Sequence, residues 1–303
     1  MDAHLASEPQ ARRFPLPSRG GEMAGLAFGP AERPLDLIFV HANGFNARTY
    51  RTILSPLAER FHILAVDLRG HGATRLPTQT EGRAGWKAFR DDLLALLPFV
   101  AAGPVVMAGH SMGGTSSLLA AAAQPGAVRA LVLFDPVLMP EAGAADPAAI
   151  AQSPMVQGAL RRRPGFSSRA EALAAYAGRG AFRTWSQDQL ADYVAAGFQE
   201  VDGGGVTLSC APAWEASNFA SYDPDAFDAL LATPCPTRIL RAEIGSTCRV
   251  DAHLERLAAA GVAVETIAGA SHFLPMERPD LVREALTRAI VGPPNPLKPD
   301  SET

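Results

Sequence analysis

Cysteine is scarce in this 303-residue chain: Cys210, Cys235 and Cys248 are the whole supply. An odd count without C-x-x-C spacing gives no basis for a disulfide framework or a zinc site, and it suits a reducing compartment. Basic charge is equally short. Lys and Arg number 27 against 31 Asp and Glu, for a formal net charge of -4, and the arginine cluster Arg161-Arg162-Arg163 ends at Pro164. That offers no positive field for a phosphate backbone, so nucleic acid is not expected as a partner. No run approaches the roughly 18 apolar residues of a membrane span. Residues 1–10 carry Asp2 and Glu8 where a secretory leader needs an apolar core. The expectation is a cytoplasmic protein with no membrane partner.

What the chain has is apolar mass, 48% of its residues, enough for a large core in one domain that carries an insertion. Short apolar runs at 35–40, 62–66, 104–108, 128–134, 237–241 and 262–267 read as strands. Apolar residues at three- or four-residue spacing mark helices at 50–60, 84–100, 111–124, 250–260 and 279–291. This alternation predicts an α/β fold with a mostly parallel central sheet and helices on both faces, and ligands in such sheets sit at the carboxyl ends of the strands. Between 137 and 227 the alternation stops. The stretch is rich in Ala, broken by several prolines and by Gly203-Gly204-Gly205, and has helical candidates only at 171–178 and 186–197. The expected organisation is a first core segment at 1–136, a helical cap at 137–227, a second core segment at 228–292 and a flexible tail at 293–303. The polar residues 1–12 should also be loosely ordered. Trp185, Tyr193, Phe198, Trp214, Phe219 and Tyr222 concentrate in the insertion; most should build its own core, and a minority should line an apolar pocket.

Gly109-His110-Ser111-Met112-Gly113-Gly114 follows one strand run and opens a helical run. A serine two residues from glycine on either side suits a sharp strand-to-helix turn, with the helix N-terminus behind the hydroxyl favouring negative charge. That makes Ser111 a candidate nucleophile. A hydroxyl needs a base to take its proton, and His272, in the loop after the last strand run, falls on the same rim. Stabilising an oxyanion needs preset N–H donors. The amide of Met112 should be one, and the loop His41-Ala42-Asn43-Gly44-Phe45 should supply the other through Asn43, with Ala42 as its neighbour.

These motifs, together with Asp67-Leu68-Arg69-Gly70-His71-Gly72 and Ser271-His272-Phe273-Leu274-Pro275, resemble the α/β-hydrolase superfamily from about residue 35 to 290. The resemblance implies a serine hydrolase acting on a small molecule, with no metal and no cofactor, and a structural role for the segment around Asp67. In that family an acid usually follows the strand at 237–241, where this chain has Gly245 and Ser246. Some members carry it after the preceding strand, which here ends in Asp135. Asp135 is therefore the expected acid, and Glu243 the alternative; Asp251 falls on the following helix. The implied reaction is hydrolysis of an ester or related acyl bond of a mainly apolar substrate. Carbon-carbon bond hydrolysis, lactonase and cofactor-free perhydrolase chemistry use the same triad, and a small-molecule receptor without turnover is the reading from another class. Oligomeric state is not legible in the sequence.

Overall fold

The computed structural model describes residues 8–83, 85–140, 147–221 and 223–292. Strands β1 (Gln10–Leu16) and β2 (Gly21–Phe28) form an antiparallel hairpin. β3 (Leu37–Val40), β4 (Ile63–Asp67), β5 (Val105–His110) and β6 (Val128–Phe134) follow in parallel. The three short strands β7 (Gly165–Phe166), β8 (Phe198–Glu200) and β9 (Val206–Leu208) lie apart from them. β10 (Thr237–Ile244) and β11 (Val262–Ser271) complete the main sheet, whose order is β1-β2-β4-β3-β5-β6-β10-β11.

β3, β4 and β5 are buried on both faces, as parallel strands covered by helices must be, while β11, at the edge of the sheet, is largely exposed. Within β3, Leu37 and Phe39 join one core layer while Ile38 and Val40 join the other; Val106 and Met107 divide in the same way in β5. The first layer packs under α1 (Arg51–Leu54) and α12 (Pro279–Val291). The second packs under α2 (Lys87–Val100), α3 (Met112–Ala123), α9 (Ala226–Ala232) and α10 (Leu254–Ala259). A further single turn, α11 (Leu274–Glu277), leads into α12. The helix expected across 50–60 is instead broken into the turn of α1 between two 3-10 segments, one of them carrying Pro56.

Three further expectations change. Residues 10–12, expected to be loose, open β1; Arg12 and Arg13 sit on an exposed edge strand whose polarity hides its pairing with β2. The tail at 293–303 lies outside the described residues. The insertion, expected to be helical, contains α4 (Pro147–Ala151), α5 (Pro154–Leu160), α6 (Arg169–Tyr176), α7 (Gln187–Gly197) and α8 (Pro212–Phe219), and also the sheet β7-β9-β8. Strands two or three residues long leave too few side chains for a period to show. At its far end, α9 runs through residue 227, and its Phe227 and Leu230 belong to the main core with Leu118 of α3. The break between insertion and core therefore precedes Ala226. Among the described residues no helix is long and apolar enough to cross a membrane.

Candidate active site

Strand register brings the site together. Val40 pairs with Gly109, His110 with Phe134, Phe134 with Leu240, and Ile244 with Ser271. The loops that follow β3, β5, β6, β10 and β11 leave the same carboxyl edge of the parallel strands, β10 and β11 running a few residues past the end of β6.

Ser111 occupies the turn between β5 and α3 with φ 54 and ψ -125, a strained backbone for a residue with a Cβ. The neighbouring glycines make the turn fit. A Cβ at Gly113 would lie 2.3 Å from the His41 carbonyl oxygen, and one at Gly109 would lie 2.5 Å from the Gly113 carbonyl carbon. Asp135, after β6, also has a positive φ, 42. The Ser111 hydroxyl donates to His272 Nε2 at 3.0 Å, and His272 Nδ1–H donates to Asp135 Oδ2 at 2.6 Å. Ser111 is 7% exposed and Asp135 is fully buried.

Burial acting alone would raise the pKa of Asp135. The hydrogen bond and charge of His272, with donors from Ser246 and Ala242, outweigh it and hold the carboxyl below its ordinary value. The donors identify what became of the loop after β10, where an acid was sought. Ser246 Oγ donates to Asp135 Oδ1 at 2.5 Å, Ala242 N–H to the same oxygen at 2.8 Å, and Thr247 N–H to Oδ2 at 3.1 Å. The loop supplies hydrogen bonds to an acid carried by its neighbour. Glu243 is turned away: it is exposed, and its Oε2 accepts the Gly269 N–H. Asp251, exposed, pairs with Arg241. Nothing in the sequence singled out Ser246 or Thr247 as partners of Asp135, because a Ser-Thr pair after a strand is common in turns.

The amides expected to bind an oxyanion are those of Met112 and Asn43. Among the described residues neither Met112 N–H, at the first position of α3, nor Asn43 N–H has a protein acceptor, as expected of Met112 at a helix N-terminus. Ala42, named as Asn43's neighbour in this role, is corrected: its N–H donates to Tyr50 Oη at 3.2 Å. Phe45 N–H closes the turn onto Ala42 O at 3.1 Å, with Gly44 at φ 75. Below the loop, His71 Nε2 accepts Gly44 N–H at 3.0 Å and His41 Nε2 accepts Leu68 N–H at 2.9 Å. Burial drives both rings toward the neutral form these bonds require, His71 down to about 4 and His41 well below its ordinary value. Asp67 ties the neighbouring loops by accepting Ala47 and Ala73 N–H, each at 2.8 Å.

His110 faces away from the serine. Tyr50 Oη–H donates to its Nδ1 at 2.8 Å, and its Nε2–H donates to the His272 carbonyl at 2.7 Å. Burial lowers its pKa to about 3. An aromatic wall adjoins His272: Phe273 stacks near Phe45 at 6.3 Å, and Trp185 lies edge-on to Phe45 at 5.1 Å. Of the insertion aromatics, Trp185 and Tyr193 reach this wall, Phe198 packs with Phe166, and Trp214 packs on Phe89 of the main core. Tyr222 lies outside the described residues. Among the described residues, no three His, Cys, Asp or Glu side chains are gathered to hold a metal ion.

This fold and rim are those of the alpha/beta hydrolase family, whose sequence model matches residues 37–285, and the chain belongs to that family. It is an enzyme of the hydrolase class. A Mesorhizobium japonicum protein, 2-(acetamidomethylene)succinate hydrolase, is 28% identical over 262 residues, spanning 84% of this chain and 87% of its own. A crystal structure of E-2-(acetamidomethylene)succinate hydrolase superposes with a TM-score of 0.75 at 26% identity, covering 94% of this chain and all of that one (100%). Lipase LipV of Mycobacterium tuberculosis is 36% identical over a shorter stretch, 37% of this chain and 40% of its own.

Proposed function

We propose that this enzyme is a serine hydrolase cleaving an ester or related acyl bond of a small, mainly apolar substrate through an acyl-enzyme. The observation that carries the reading is the unbroken chain from the strained Ser111 through His272 to the buried Asp135. Ser111 Oγ bonds to the acyl carbon while its proton passes to His272 Nε2. Asp135 holds the imidazole in the tautomer that leaves Nε2 free, and stabilises the imidazolium. The carbonyl electrons collect on oxygen between the Met112 and Asn43 amides. Collapse expels the leaving group, which takes the proton from His272, and water repeats the sequence on the acyl-enzyme.

The insertion acts in this reading as a cap over the rim, its Trp185 and Tyr193 giving the pocket an apolar side. The likeness to a hydrolase named for 2-(acetamidomethylene)succinate, running over most of both chains, makes that compound the alternative substrate to set beside esters. The test is hydrolysis of p-nitrophenyl esters of increasing acyl length, and of 2-(acetamidomethylene)succinate, by wild type and Ser111→Ala. Multiple turnovers abolished by the substitution are expected. Turnover that survives Ser111→Ala refutes the mechanism.

A further inference from the structure

Asn43 has two faces. Among the described residues its backbone N–H has no protein acceptor, while the residue is 8% exposed and its side chain is engaged with the insertion. Asn43 Nδ2 donates to the Glu215 carbonyl at 3.0 Å, and Asn218 Nδ2 donates to Asn43 Oδ1 at 2.9 Å. Both partners are on α8, so one helix grips the amide from both ends. Asn218 is fully buried and is itself fixed. Its side-chain oxygen accepts from Arg83 Nη1, and its carbonyl accepts Trp86 Nε1–H at 3.2 Å. Arg83 lies 4.2 Å over the Trp214 ring and gives a second hydrogen bond to Ser217 Oγ at 2.9 Å. Trp214 Nε1–H in turn donates to the Arg69 carbonyl at 3.0 Å. A guanidinium, two carboxamides and a backbone carbonyl thus form one directed chain, in which each donor polarises the next.

We propose that Asn218 is a positioning residue for the oxyanion donor: α8, anchored to the core through Arg83, Trp86 and Trp214, sets where the Asn43 amide points. This rests on the reading of Asn43 as a donor given above. The geometry needs such a device. Gly44 gives the turn freedom, the Asn43 N–H is held by no acceptor of its own, and a donor helps only when it meets the oxygen of the transition state. A displacement of about 1 Å can cost on the order of 10²-fold in rate.

The test is the rate of Ser111 phosphonylation by a fluorophosphonate, which needs no knowledge of the substrate, with the limiting rate and the half-saturating concentration measured separately. In that step Ser111 Oγ bonds to phosphorus, fluoride leaves, the serine proton goes to His272, and the phosphoryl oxygen takes the oxyanion position. Asn218→Ala should lower the limiting rate about 30-fold, below the roughly 10²- to 10³-fold of losing a donor outright, with half-saturation within about twofold. Asn218→Asp keeps the acceptor for Arg83 but loses the donor to Asn43, and should behave like the alanine variant. Arg83→Met, outside the insertion, keeps contact with Trp214 and should show a fall of about fivefold of the same kind; it carries the test if the Asn218 variants fail to fold. A folded Asn218 variant, or Arg83→Met, reacting at the wild-type limiting rate overturns the inference. Wild type that is not labelled at Ser111 instead overturns the serine-hydrolase reading, and the inference with it.

Discussion

The two sides of Ser111 are built by different means. On one side, His272 and Asp135 are brought to the serine by parallel strands that share a carboxyl edge, and every bond between the three joins loops of the main sheet. On the other, the Asn43 loop is steadied from below by His71 and gripped from above by α8, a helix that begins 89 residues after the end of α3, in an insertion of another architecture. The first side follows from the topology of the main sheet. If Asn43 is the oxyanion donor proposed above, the second makes it depend on the insertion, so exchanging the insertion would alter catalysis along with selectivity.

Breaking the sheet side should have the larger effect. Asp135→Asn removes the charge that orients the imidazole and favours its protonated form. A fall in kcat of about 10⁴-fold is expected, as for loss of the acid in comparable triads, with cooperative melting retained; kcat within tenfold of wild type would show that Asp135 is not the acid. Glu243→Gln, by contrast, should leave kcat unchanged.

The sheet side was also the legible side. The glycines about Ser111 are demanded by close backbone approach, and Asp135 and His272 each follow a run read as a strand, the first largely buried and the second an exposed edge strand. Position after a strand then implied a common rim. The insertion side was not legible. Asn218 and Arg83 are ordinary polar residues far from any motif, and their meeting with Asn43 depends on how α8 docks on Trp86 and Phe89, which no local periodicity encodes. The β1–β2 hairpin escaped for a related reason: its edge strand is exposed and carries Arg12, Arg13 and Pro15 instead of a clean alternation. Ala42 was misjudged because the competitor for its N–H, Tyr50, lies on another element.

Tyr50 also joins the two sides. Its hydroxyl accepts from Ala42, next to the oxyanion donor, and donates to His110, which holds the His272 carbonyl. Tyr50→Phe therefore strands a buried N–H and uncouples the loops at once. Because Tyr50 is fully buried, about 1–3 kcal/mol of stability should be lost. A fall in kcat of about tenfold, read beside the melting temperature, is expected; unchanged kcat in a destabilised enzyme would reduce the link to a packing role.

The smallest effect tests how the Asp135 carboxyl, after β6, is held. Ser246→Ala removes a hydroxyl donated to Asp135 Oδ1 and leaves the Ala242 and Thr247 N–H bonds in place. A hydrogen bond to a charged group contributes about 1.5–3 kcal/mol, and the remaining donors should limit the loss to about 1 kcal/mol at neutral pH. The sign with pH follows from linkage. Asp135 is held below its ordinary pKa when folded, so its ionised form stabilises the protein fully above the unfolded value of about 3.9. That contribution is lost as pH falls through the lower folded value. The difference in melting temperature between wild type and Ser246→Ala should be constant from pH 8 to about 5 and shrink below about 4, where the carboxylate that the hydroxyl serves begins to disappear. A gap that persists unchanged to the lowest pH at which both proteins fold would mean that Ser246 stabilises the turn after β10 and not the charge on Asp135.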